Sequence, residues 1–156
     1  MTGAILALDL ATTLGWSVST FDRKGIVGSG SKSFALRRNE DGGVRYLKFV
    51  HFLNELRESC GPFDEIVYED VRRHMGTTSA HVYGGFKGHM QSWASASQVR
   101  CTPVGVGVWK KAVVGRGNAL KSDVIKAVER LGYDPIDDNE ADAIAILLYR
   151  LSDDFG

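Results

Sequence analysis

In the stretch Ile5, Leu6, Ala7, Leu8, Asp9, Leu10, a single aspartate interrupts a run that is otherwise apolar at every position. Successive residues of a strand face opposite sides of its sheet, so such a run is buried on both faces. A carboxylate inside it is tolerated only where a cleft, a partner or a cation receives it. The stretch therefore predicts a strand within a sheet covered on both sides, with Asp9 where the covering opens.

Two further acids stand where apolar runs begin or end. Glu69 closes Ile66 to Tyr68, and Asp142 opens Ala143 to Leu148. Three such positions together point to divalent metal binding. Hard cations such as Mg²⁺ take a few carboxylates and leave their other positions to water and phosphate oxygens, which suits phosphoryl chemistry. Within the last helix the spacing separates the acids. At about 100° per residue, Asp138 and Asn139 share the face of Asp142, whereas Glu140 points nearly the opposite way. Asp137 with Glu140 has the spacing of a capping box, a sufficient structural reason for both. Asp138 has a structural reason too, since an acid at a helix N-terminus complements the helix dipole.

Reading outward, Ala4 to Leu10, Gly15 to Phe21 and Ile26 to Phe34 are predicted strands of an antiparallel meander. Apolar residues at helical spacing predict a helix over Gly43 to Ser59, stopped by Gly61 and Pro62. A buried strand, Asp64 to Glu69, a helix, Thr78 to Gln98, and a strand, Gln98 to Val104, follow. A glycine-punctuated loop is expected next, then helices over Ala119 to Leu131 and Asp138 to Leu151. Hairpin strands first and alternating helix and strand afterwards predict an α/β mixed sheet flanked by helices. The 156 residues form one expected domain, 1–156, with no repeat or linker.

The 19 basic and 19 acidic residues cancel, but not evenly along the chain. Val71 to Ser122 contains no Asp or Glu and carries Arg72, Arg73, Lys87, Arg100, Lys110, Lys111, Arg116 and Lys121. A block of this kind attracts polyanions with a strong dependence on salt. The apolar stretches fall short of a bilayer span, and no signal pattern precedes Ala4, so an intracellular, cytoplasmic protein with no membrane partner is expected. Cys60 and Cys101 cannot build a disulfide framework, and His51, His74, His81 and His89 lack zinc-site spacing. Trp16, Trp93 and Trp109 are core candidates, Trp109 also a possible contact for a base or sugar beside Lys110 and Lys111. Gly84, Gly88, Ser92 and Ala96 lay small residues at every fourth position of a helix, which permits another backbone to approach, within the monomer or from a second copy.

The order of a strand acid before a hairpin, an acid ending a later strand and an acid in the final helix resembles that of ribonuclease H-like nucleases. More closely, Ala7 to Val18, Phe63 to Asp70, Lys110 to Lys121 and Asn139 to Ile146 resemble the RuvC family of Holliday junction resolvases. Asp142, Ala143, Ile144, Ala145, Ile146 is the most distinctive of these blocks. The resemblance implies Asp9, Glu69 and Asp142 as catalytic metal ligands, Asn139 as a fourth where members usually have aspartate or histidine, and Lys121 as a lysine near the scissile phosphate. Asn139 can ligate through its carbonyl oxygen but brings no charge, and Asp138 is the neighbouring acid able to help. Arg72, in the loop Arg72, Arg73, His74, Met75, stands where members have a junction-wedging aromatic. The implied protein is a homodimer that cuts four-way DNA junctions using two Mg²⁺ or Mn²⁺ ions per site, giving paired nicks with 5′ phosphates. By the same resemblance the helix with the small residues is expected at the dimer interface, and Arg72, Arg73, Lys87, Lys110, Lys111, Arg116 and Lys121 are the expected DNA contacts. A nuclease acting on RNA/DNA hybrid or an RNA precursor, and a junction-binding module that does not cleave, are the alternatives. A weaker likeness of Asp9 to Thr13 to the phosphate loop of sugar kinases fails on size, since those enzymes need two related domains.

Overall fold

The computed structural model describes residues 3–74 and 76–153, so Met75 of the expected loop lies outside them. Among these residues, strands β1 (Ala4–Asp9), β2 (Thr13–Ser19) and β3 (Ile26–Ser33) form the expected meander. They are followed by α1 (Gly42–Cys60), β4 (Phe63–Asp70), α2 (Thr77–Ala96), β5 (Arg100–Gly105), α3 (Val106–Val114), α4 (Lys121–Arg130) and α5 (Asp138–Asp153). The sheet order is β3-β2-β1-β4-β5. The β1–β2 and β2–β3 pairs are antiparallel, whereas β1–β4 and β4–β5 are parallel. This is the mixed sheet predicted from the chain, with β1 at its centre, as a run apolar on both faces requires.

Strand alternation divides the core in two. Leu6, Leu8, Ile66 and Tyr68 pack with Phe34, Phe49, Phe86 and Met90 under α1 and α2. Ile5, Ala7, Val67 and Val104 pack with Trp109, Val124, Ile144 and Leu147 under α3, α4 and α5. Odd-numbered residues of β1 and, past the register shift that follows Phe63, of β4 thus face α5, which assigns Asp9 and Glu69 to that side.

The structure corrects the sequence reading at α3, where a loop was expected after Val104. Gly107 costs roughly 1 kcal/mol relative to alanine inside a helix. Complete burial of Trp109, with Val113 and Val114 packed on the same core, outweighs that cost. Gly115 then ends the helix at φ 108°, its N–H donating to the Lys111 carbonyl. Close packing of the small-residue stripe inside the monomer is also overturned: Gly84, Gly88, Ser92 and Ala96 are all exposed. No helix among the described residues is long and apolar enough to cross a membrane.

Candidate active site

Asp9 ends β1, and Glu69 is the penultimate residue of the parallel neighbour β4. Leu8 pairs with Tyr68, so the two acids emerge side by side at the carboxyl ends of adjacent strands, where open α/β sheets commonly bind ligands. Asp142 arrives from α5, and the hairpin holds that helix in place. Gly15 pairs with Asp9 across β1 and β2, and a Cβ on Gly15 would stand 1.8 Å from the Asn139 carbonyl oxygen. Only glycine lets the first turn of α5 lie this close to the strand. Ser17 Oγ donates to the Ala143 carbonyl at 2.7 Å, Ser29 Oγ to Glu140 at 2.7 Å and Ser31 Oγ to Asp137 at 2.7 Å. The predicted cap is present in modified form. Asp137 accepts from the Glu140 N–H at 2.8 Å, while Glu140 reaches back one residue further, to the Ile136 N–H at 2.7 Å. Glu140 is thereby a structural acid and points away from Asp142.

Asp9, Glu69 and Asp142 are each half-buried. Burial, followed by the charges of Asp142, Glu69 and Asp138, holds the Asp9 carboxyl well above the usual range, and Lys121 opposes them. Burial and then the Glu69 charge push Asp142 up to about 7, against Lys110, Asp138 acting upward and Lys121 downward. Glu69 is raised by burial and held back by Lys110 and by the indole of Trp109. Asp9 feels the charges of both other acids and Asp142 that of Glu69, so the three share one region, although among the described residues no three His, Cys, Asp or Glu side chains stand close enough together to hold a metal ion. An oxygen-only donor set, penalised by burial and by its own charges, fits a hard divalent cation, because the cation offsets both penalties.

Two recesses open beside these acids. A cleft of about 690 Å³ is lined by Asp9, Thr12, Thr13, Arg73, His74, Tyr83, Lys121 and Asn139. A recess of about 850 Å³ is lined by Glu69, Arg72, Arg73, Pro103, Val106 and Val108. Val71 and Arg73 border both. The ridge is anchored by Tyr83, whose hydroxyl donates to the Glu69 carbonyl at 2.8 Å and accepts the Val71 N–H at 3.2 Å.

The basic candidates divide by position. Arg73 and Lys121 line the cleft, and Lys110 lies near enough to Glu69 and Asp142 to favour their ionised forms. Lys121 pairs with Asp138 at 3.1 Å, which raises the lysine's pKa, and both side chains are solvent-accessible. Arg72 pairs with Asp70 at 3.0 Å and Arg116 with Asp123 at 2.7 Å. Lys111 is exposed on α3. Lys87 lies 5.8 Å from the centroid of the Tyr68 ring, a residue of the opposite core. Trp109 is fully buried and so reaches no base or sugar. Sequence reasoning had not identified Gly15, Tyr83 or the contact between Trp109 and Glu69. Only Gly15 carried a signal, as a glycine inside a strand run.

No protein-family model matches the sequence, and no curated protein matches it. Among solved structures, Thermus thermophilus RuvC in complex with Holliday junction substrate aligns with TM-score 0.77 and 21% identity over 94% of this chain and 91% of that one. A second T. thermophilus RuvC structure aligns with TM-score 0.72 and 21% identity over 98% and 96% of the two chains. The yeast mitochondrial Holliday junction resolvase aligns with TM-score 0.64 and 11% identity over 94% of this chain and 77% of that one. The chain has the ribonuclease H-like fold of the RuvC resolvases.

Proposed function

We propose that this protein is a metal-dependent endonuclease that resolves four-way DNA junctions by paired phosphodiester hydrolysis, leaving 5′ phosphates. The observation that carries the reading is the convergence of Asp9, Glu69 and Asp142 from three separate elements of a fold shared with a RuvC solved on a Holliday junction substrate. Asp9, coupled to both other acids, would be shared between two Mg²⁺ or Mn²⁺ ions, with Glu69 and Asp142 holding one each. Such ions, when bound, lower the pKa of a water nucleophile and neutralise charge developing on the phosphate. Asn139, on the cleft wall, offers a neutral carbonyl oxygen, and Asp138 supplies charge beside it, shared with Lys121. Arg73 and Lys121 would hold the scissile strand by its phosphates, and Lys110 would offset the negative charge around Glu69.

A homodimer fits the reading. The exposed stripe of Gly84, Gly88, Ser92 and Ala96 leaves room for a second α2, and two sites related by a two-fold axis suit a two-fold junction. The departure at Asn139 keeps the non-cleaving junction-binding module as the second reading. Incubation with labelled four-way junction, linear duplex and RNA/DNA hybrid, each with Mg²⁺, Mn²⁺ or EDTA, tests both. Paired metal-dependent nicks confined to the junction are expected. Cutting of the hybrid alone transfers the activity to RNA-containing substrates, and binding without cutting establishes the module.

A further inference from the structure

Trp109 has no exposed surface, and its Nε1 has no hydrogen-bond partner among the described residues. Buried indole N–H groups ordinarily find an acceptor, and a phenylalanine would fill a similar apolar site without an N–H to satisfy. The neighbourhood identifies the acceptor. Trp109 packs in one cluster with Val67 and Val104; Val104 pairs with Glu69 across β4 and β5, and Val67 precedes Glu69 on the same strand face. The ring therefore lies beside the Glu69 side chain. Its N–H is near enough to oppose the upward push that burial gives the Glu69 carboxyl. Lys110 stands 5.6 Å from the ring centroid, and its charge polarises the indole as a donor.

We propose that Trp109 is a positioning residue for Glu69: its N–H donates to the carboxylate when that carboxylate is aimed at a cation, fixing the rotamer that ligates. The proposal rests on the reading of Glu69 as a metal ligand. It assigns to α3 the outer-shell role that a carboxylate or carbonyl plays for metal-bound histidine, where loss of the partner typically weakens metal binding by roughly 10–100-fold. A packing role and a positioning role predict opposite results. If Trp109 only fills the core, replacing it lowers stability and leaves metal affinity alone. If it positions Glu69, removing the N–H lowers metal affinity while the EDTA-treated protein, relieved of an orphan donor, loses no stability.

The experiment is Mn²⁺ and Mg²⁺ titration by calorimetry of the full chain as wild type, Trp109→Phe and Glu69→Gln, with thermal midpoints in EDTA alongside. A benzothienylalanine at position 109, which keeps the ring volume and replaces N–H by sulfur, serves if the phenylalanine variant does not fold. The expected result is metal affinity at least about tenfold weaker in either Trp109 variant, with a midpoint in EDTA equal to wild type in the isosteric one. In the wild type, Mg²⁺ should move downfield one indole N–H resonance that Trp109→Phe lacks. Unchanged affinity in the isosteric variant overturns the proposal. Absence of metal binding in the wild type instead overturns the metal reading of the site itself.

Discussion

At the residue scale, the acids set the first predictions. Asp9→Asn, Glu69→Gln and Asp142→Asn each remove a charge that burial already disfavours, and that neighbouring acids disfavour further at Asp9 and Asp142. Each should reduce cleavage by more than the roughly 100-fold that loss of an outer-shell partner can cost, while junction binding and folding persist. Gel assays of cleavage and binding on the same preparations check this, and full activity in one variant removes that acid from the ligand set. Asn139→Asp should keep or raise activity at low metal, since it restores charge where Asp138 is already shared with Lys121. A large loss there would show that the amide itself is needed. Asp142 also predicts a pH dependence. Its folded-state pKa of about 7 lies above its ordinary 3.8, so between these values the folded protein keeps a proton that the unfolded chain has released. Stability from this group is therefore present at low pH and lost as pH rises toward 7, and Asp9 and Glu69 act in the same direction. In EDTA the thermal midpoint should fall between pH 5 and pH 8, and Mg²⁺ should recover it at pH 8; a midpoint rising over that range would contradict the burial of these acids.

At the scale of elements, the chain disclosed its strands and most of its helices because periodicity is local. β1, β4 and α5 were legible from apolar runs that each carry one acid, and Asp9, Glu69 and Asp142 with them. α3 was not, because Gly105 and Gly107 read as loop, and what overrides them is the burial of Trp109 against α5, more than thirty residues downstream in the chain. The same limit hid the docking of α5. Gly15 reads locally as a weak point in β2, and its purpose shows only in the 1.8 Å that would separate its Cβ from the Asn139 carbonyl oxygen. Gly15→Ala must move either the strand or the helix, so we expect about 1–3 kcal/mol of destabilisation, the usual range for overpacking, measured by denaturant midpoint. Cleavage should fall further than stability does, because the shift displaces Asn139 and Asp142 from Asp9 together. Wild-type activity in a stable Gly15→Ala protein would show that α5 can be repositioned without cost to the site.

At the scale of the whole molecule, the basic block is the feature whose sequence reading changes most on folding. Eight cations without an acid between Val71 and Ser122 suggested a broad polyanion surface. Folding brings acids from outside the block onto half of them: Asp70 on Arg72, Glu65 on Arg100, Asp123 on Arg116 and Asp138 on Lys121. Arg73, Lys87, Lys110 and Lys111 have no ion pair within 4.0 Å among the described residues, and Lys87 lies over Tyr68, away from the acids. Glu65 on Arg100 and Asp138 on Lys121 are joined only by the tertiary fold, whereas Asp70 on Arg72 and Asp123 on Arg116 are local pairs whose acids lie just outside the block's ends, where a count of charges inside the block does not reach. They have a measurable consequence. Each phosphate neutralised adds about −0.9 to the slope of log K against log salt. If all eight cations met phosphates the slope per protomer would approach about −7, whereas the four unpaired ones together with Lys121, which must leave Asp138 to hold the scissile strand, give about −4.5. A cation already paired with a carboxylate gains less from a phosphate, because it must first give up its partner. Junction binding measured in Ca²⁺ from 50 to 200 mM salt should therefore follow the shallower slope. Asp70→Asn and Asp123→Asn, by releasing Arg72 and Arg116, should each steepen it by about one unit per protomer. A wild-type slope near the full count, insensitive to these substitutions, would mean that the ion pairs open on DNA and that the whole block meets the backbone.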